Sequence, residues 1–260
     1  MTHVNQLLAK KQALLKQRMA HTSIDGLRAM ASMQSRPIPF LTTVGAPTAI
    51  VGQVRYQLPR TGDLSTRYDP VMIAKTYVEG GADAIAMFTD AVPEYDGTVD
   101  MTLVNEAMRF QNVPVINQDY MIHEYNLVAA RAAGASVVVL TSGLLPSEKL
   151  RLLTSVVHRN RMTAIVDVFD VTQLKHALAW SPQVIGLSGT DPTGYSVDLD
   201  HVAQLRPLIP VHQSVMITQA LHQIDELRRV AEIGVDAVTV SDRLLLGYSK
   251  AQLLQALRRT

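Results

Sequence analysis

The sequence predicts a closed (β/α)8 barrel, and three observations lead there. Short apolar runs alternate with helical patterns through most of the chain. Three of those runs share one layout: GGADAIAMFTD from Gly80, AGASVVVLTSG from Ala133 and IGVDAVTVSD from Ile233. Each offers a glycine able to end a helix in the left-handed conformation, then a strand-like run, then Thr, Ser or Asp. The runs are apolar throughout rather than alternating, as expected of a parallel sheet covered by helices. An open doubly wound sheet is the competing architecture. No glycine-rich dinucleotide fingerprint follows the first strand, which counts against it.

The elements follow in order. Leu7, Leu8, Leu14, Leu15 and Met19 recur at helical spacing, with Lys10, Lys11, Lys16 and Arg18 among them. That pattern predicts a helix packed on its own domain with solvated lysines, in preference to a helix lying on a membrane. A second helix is expected from Asp25 to Met33, before Pro37 and Pro39 break the pattern. Residues 1–44 are thus expected to form a helical extension packed on a barrel of residues 45–260. The spacing gives eight strands: Ala49–Arg55, Ala84–Phe88, Pro114–Gln118, Ser136–Thr141, Thr163–Val168, Gln183–Ser188, Pro210–Ser214 and Ala237–Ser241. Asp69-Pro70 is an N-cap with proline in the first turn, opening a helix to about Glu79. Pro146-Ser147-Glu148 opens another, and a last helix is expected near Lys250–Arg258.

Composition narrows the function classes. A chain of 260 residues with 47% hydrophobic content can build one large core. Its net charge of +1 gives no general basic surplus for nucleic acid. The lack of cysteine excludes disulfides, thiolate metal sites and cysteine nucleophiles. No run approaches the roughly 18 apolar residues of a membrane span, and the first residues lack a signal-peptide core. The expectation is a cytoplasmic protein that takes a small molecule, with no membrane or nucleic-acid partner. The sequence specifies no oligomeric state.

In such a barrel the site lies at the C-terminal ends of the strands. The stretch VGQVRYQLPRTG, from Val51, starts as a buried strand and ends in polar groups, Gln53, Arg55 and Tyr56. The other predicted strand ends supply Thr89 and Asp90; Gln118, Asp119 and Tyr120; Thr141 and Ser142; Asp167 and Asp170; Ser188, Thr190 and Asp191; His212, Gln213 and Ser214; and Ser241, Asp242 and Arg243. Gln53, Gln118 and Gln213 are expected at one height, either binding a ligand or forming a hydrogen-bonded polar plug. Asp167 and Arg55 are either functional or a structural ion pair. His212 has no second histidine at ligand spacing, and Ser214 lacks a nucleophile elbow, so neither metal nor cofactor is expected.

Several stretches resemble the indole-3-glycerol-phosphate synthase family of (β/α)8 barrels. AIVGQVRYQLPRTG is similar to its Glu-x-Lys strand and Ser-Pro-Ser loop, and TDAVPEYDGT to its following loop. PVINQDYMIHEYNLVAARAAGA resembles its Lys-Asp-Phe stretch, IVDVFD its Val-Glu-Val strand, and IGLSGTDPTGYSVDL its Ile-Gly-Ile-Asn-Asn-Arg stretch. The likeness runs over about residues 40 to 250. It implies a lyase that closes an indole ring on a phosphorylated, anthranilate-derived pentulose, as in tryptophan biosynthesis. In that family a strand-three lysine protonates the substrate carbonyl, and glutamates carry later proton transfers. The resemblance places Gln53 and Arg55 at the strand-one glutamate and lysine, Gln118 at the lysine acid, Asp167 at the strand-five glutamate, and Gln213 at the strand-seven glutamate. Ser188 stands at the strand-six asparagine, Thr190 at an arginine, Ser214 at a serine, and Val215 at a phosphate-loop glycine. Ser241-Asp242 stands where the family has Gly-Ser. The expected catalytic positions are therefore Arg55, Gln118, Asp167 and Gln213. The expected substrate-binding positions are Gln53, Asp119, Tyr120, Ser188, Ser214 and Ser241. Glutamine carries no proton that titrates near neutrality, so the family's standard acid–base chemistry is expected to be altered or lost here, leaving a non-catalytic binding barrel as the alternative.

Overall fold

A computed structural model describes residues 3–41, 47–55, 69–89, 97–189 and 197–257. Eight parallel strands close into a barrel in sequence order, β1 pairing with both β2 and β8. They are β1 (Ala49–Val54), β2 (Ala84–Met87), β3 (Val115–Asn117), β4 (Val137–Thr141), β5 (Thr163–Val168), β6 (Val184–Leu187), β7 (Ser214–Leu221) and β8 (Ala237–Val240). The helices are α1 (His3–His21), α2 (Ile24–Met33), α3 (Pro70–Glu79), α4 (Gly97–Arg109), α5 (Glu124–Ala132), α6 (Ser147–Arg159), α7 (Val171–Ala179), α8 (Leu199–Leu205), α9 (Ile224–Ile233), α10 (Asp242–Gly247) and α11 (Lys250–Ala256).

Local chemistry sets the joints. Asp69 caps α3 by accepting from the Met72 N–H, and Pro70 fills the first turn where no intrahelical N–H is needed. Gly81, Gly134 and Gly234 from the three repeated runs all take positive φ. A Cβ on Gly134 would stand 1.9 Å from Asn105 Nδ2, so both space and φ require glycine there.

Strand alternation divides the core in two. Outward residues such as Ile50, Ile85, Val138, Val166 and Ile217 pack under the helices. Inward residues Val51, Ala86, Ile116, Val139, Ile165 and Met216 fill the barrel. Phe40 joins the inward group from outside the sheet. The chain brings it there along a traceable route. Arg28 on α2 pairs with Glu124 at the start of α5, and Gln34 donates to the Ala132 carbonyl at its end. α2 therefore runs alongside α5 down the barrel wall. The Ile38 N–H then donates to Ser136 Oγ before β4, and the Leu41 carbonyl accepts from Ser214 Oγ at the start of β7. Phe40 closes the end of the barrel where the strands begin.

Seven strands lie within a residue of their expected bounds at each end. Strand seven does not. It was expected at Pro210–Ser214 and runs Ser214–Leu221. Pro210 follows a 3-10 turn at Arg206–Leu208, and Val211 is 83% exposed. The contiguous run Val215–Met216–Ile217, buried on both faces, forms the strand instead. Phe40→Ala should lower unfolding free energy by about 3–5 kcal/mol, measured by denaturant titration, because it empties a closed packing site. A loss below about 1 kcal/mol would show that the barrel end is not sealed by this ring.

Candidate functional site

The shift in strand seven rearranges the expected site. Gln213 and Ser214 sit where β7 starts, at the opposite end of the barrel from the site. Gln213 Nε2 donates to the carbonyls of Pro182 and Gln183, at 3.2 and 3.1 Å. His212 lies in the exposed turn before them. Val215 points outward and is buried under the helices, away from any phosphate loop. The residue that β7 turns inward near its C-terminal end is Thr218, which the sequence reading missed.

Thr218 is central to what the barrel mouth contains. Its hydroxyl donates to Asp167 Oδ1 at 2.7 Å, and the Ser188 hydroxyl donates to Asp167 Oδ2. Gln118 Nε2 donates to the Thr218 carbonyl at 3.0 Å, and Gln53 Nε2 donates to Gln118 Oε1 at 3.0 Å. One chain of hydrogen bonds thus crosses the mouth from β1 through the end of β3 to β7 and then β5. Gly186 makes room for it: a Cβ there would lie 2.7 Å from Asp167 Oδ1 and 2.9 Å from Thr218 Cγ2.

Asp167 is 6% exposed. Burial pushes its pKa up to about 6, while the two hydroxyl bonds from Ser188 and Thr218 pull the other way. Desolvation wins because a carboxylate loses more hydration than two neutral donors restore. Each oxygen takes a hydroxyl, and the ion pair with Arg55, one of the two alternatives read from the sequence, does not form. The guanidinium carbon of Arg55 instead lies 3.7 Å from the Phe88 ring centre. Among the described residues, the inward positions of the eight strands carry one ionisable side chain, Asp167.

The remaining positions divide into two groups. Asp119 is buried in an ion pair with Lys11 of α1, beside Tyr120. Lys11 was expected in solvent and is 8% exposed. Ser142 and Ser241, just past β4 and β8, each bury a hydroxyl oxygen that finds no hydrogen-bond partner among the described residues. Buried hydroxyls of that kind call for a partner from elsewhere. Asp242 opens the short helix α10 and is exposed. Tyr56, Asp90, Thr190 and Asp191 lie outside the described residues.

A parallel barrel with polar groups gathered at the strand C-termini defines the class of (β/α)8 barrels with a mouth site. Solved structures agree on the fold. Thiamine phosphate pyrophosphorylase from Pyrococcus furiosus superposes with a TM-score of 0.57 at 16% identity, covering 81% of this chain and 93% of that one. N-acetylmannosamine-6-phosphate 2-epimerase from Clostridium perfringens gives 0.57 at 13% identity, covering 80% and 90%. The sequence is more specific. Residues 4–257 match the family described as indole-3-glycerol phosphate synthase, and the chain belongs to that family. The indole-3-glycerol phosphate synthase of Roseiflexus castenholzii is 29% identical over 252 residues, which cover 94% of this chain and 93% of that protein. That of a Nocardioides species is 27% identical, covering 94% of each.

The raised pKa of Asp167 makes a stability prediction. A carboxyl that holds its proton more tightly when folded favours the fold at low pH. That contribution is complete below the unfolded pKa of 3.8 and is lost as pH rises through about 6. Asp167→Asn removes the ionisation. Relative to the variant, the unchanged protein should lose about 2 kcal/mol between pH 4 and pH 7, read from urea midpoints. A difference that stays constant across that range would place the carboxyl in an ordinary solvated environment.

Proposed function

We propose that this chain is an indole-3-glycerol phosphate synthase-like barrel. In this reading its mouth takes a phosphorylated, anthranilate-derived pentulose or a close relative, and ring closure runs far below the rate of a site built with lysine and glutamate. One observation carries the reading: Asp167 is the one carboxylate on the described inward strand positions, and neither lysine nor glutamate stands there. Family membership supports the substrate class and the decarboxylating, dehydrating ring closure as the reaction to test.

The residues divide the work as follows. Arg55 stays charged at any working pH and, in this reading, holds a ligand anion. Gln53 and Gln118 can meet carbonyl or hydroxyl groups, but an amide cannot donate a proton to a carbonyl as it becomes an alcohol. Asp167, with its pKa near 6, is mostly ionised at neutral pH and so acts as the proton acceptor. Its carboxyl sits one methylene shorter than the family's glutamate, and misplacement by about 1 Å can cost on the order of a hundredfold. Ser142 and Ser241 offer buried hydroxyls to the ligand.

A second reading, a binding barrel without catalysis, is favoured by one feature. Gln53 and Gln118 bond to each other and then to the Thr218 carbonyl, so the amides are partly satisfied by the protein itself. In that reading they form the floor of a binding pocket.

Turnover of carboxyphenylamino-deoxyribulose phosphate, followed by the fluorescence of the indole product, separates these readings. Loss of general acid–base groups should place the rate on the order of 10²–10⁴-fold below that of a relative such as the Roseiflexus castenholzii protein assayed alongside. A rate equal to that relative's would overturn the proposal. The combined substitution Gln53→Glu, Arg55→Lys and Gln118→Lys, which leaves the Asp167 hydrogen bonds intact, should raise the rate at least about tenfold. Binding of the same compound with no turnover in either form supports the non-catalytic reading.

A further inference from the structure

Helix α1 is fastened to the barrel through one buried charge. Of its described side chains, Lys11 alone is buried, while Leu8, Leu14 and Leu15 are half-buried and most others face solvent. At its C-terminal end, the Tyr125 hydroxyl lies 3.1 Å from the carbonyls of Arg18 and Thr22. Toward its middle the anchor is the Lys11 ammonium, which donates to Asp119 Oδ1 across 108 positions of sequence.

Asp119 passes that anchor into the ends of two strands. The Oδ1 that accepts from Lys11 also accepts the Tyr120 N–H at 2.7 Å. The Asp119 N–H donates to Asn117 Oδ1 at 2.8 Å, and Asn117 Nδ2 donates to Thr89 Oγ1 at 3.0 Å. The Lys11 ammonium also lies 5.7 Å from the Tyr120 ring centre. One connected path therefore links α1, the turn after β3 and the end of β2. Gln118, one step of the cross-mouth hydrogen-bond chain, lies between Asn117 and Asp119 on that turn. A buried, charge-assisted bond is costly to break on one side, because the other charge is left without its partner.

We propose that Lys11 is a positioning residue of the site. Through Asp119 it fastens α1 at the barrel mouth and fixes the β3 turn that presents Gln118 and Tyr120. It does not touch the reacting atoms. A lysine of α1, rather than one on strand three, supplies the cation that Asp119 meets. The inference rests on the proposed mouth site only for its ligand-binding consequence; the fastening itself stands apart from what the mouth binds.

Hydrogen exchange followed by mass spectrometry tests it on the full chain without ligand. In Lys11→Met, amides of α1 and of residues 117–121 should exchange at least about tenfold faster, while β4 to β6 stay as protected as before. Lys11→Arg should restore the original pattern. Should Lys11→Met not fold, the double variant Lys11→Met with Asp119→Asn removes both charges of the pair and should show the same local loosening. Unchanged exchange in α1 and residues 117–121, or a rise spread evenly over the whole barrel, overturns the proposal. A second readout is calorimetric binding of carboxyphenylamino-deoxyribulose phosphate. Where the unchanged protein binds it, Lys11→Met should weaken binding at least about tenfold and Lys11→Arg should restore it within about threefold. Equal affinity in all three forms overturns the site role. If the unchanged protein does not bind the compound, the ligand assignment fails and the exchange result alone decides the fastening.

Discussion

The mouth of this barrel is organised by one buried carboxyl group accepting two hydroxyl hydrogen bonds. Among the described residues Asp167 has no partner of opposite charge on its oxygens, so its environment is set by burial against Ser188 and Thr218. That arrangement depends on Gly186, whose missing side chain is the space the carboxyl occupies. It also extends sideways, because Thr218 receives Gln118 on its carbonyl, and Gln118 receives Gln53. A single change in that line alters the surroundings of the rest, since satisfied buried networks act as units.

This organisation differs in kind from a site of several opposed charges. A set of lysines and glutamates tunes proton affinity by mutual attraction and repulsion. Here the tuning comes from desolvation, with neutral donors as a partial counterweight. Such a site offers hydrogen-bond donors and acceptors in fixed orientations but, among the described residues, few groups to move protons. The two ends of the barrel are lined by unlike groups: Phe40 and aliphatic side chains where the strands begin, and amides and hydroxyls where they end.

Most of the fold was legible in the sequence because parallel strands buried on both faces read as unbroken apolar runs. The glycines of the repeated runs marked the helix ends, and Asp69-Pro70 marked a helix start. Strand seven was misplaced because Pro210-Val-His-Gln-Ser has β-forming residues next to a proline, while the true strand continues past them to Leu221. That slip put Gln213 and Ser214 in the site and left out Thr218, the inward residue actually at the carboxyl. The pairing of Lys11 with Asp119 was not legible at all. Helical periodicity places a lysine on a face but does not say which distant residue meets that face. Gly186 gave no signal either, since its role is a volume defined by neighbours on other strands.

The most direct measurement is a carbon NMR titration of the Asp167 carboxyl in the free protein, assigned by comparison with Asp167→Asn. Burial among neutral donors predicts a midpoint near pH 6, as the surroundings of the group require. A midpoint near the ordinary aspartate value of about 4 would mean that water or an opposing charge reaches the group, and the account of a desolvated carboxyl held by neutral donors would be wrong.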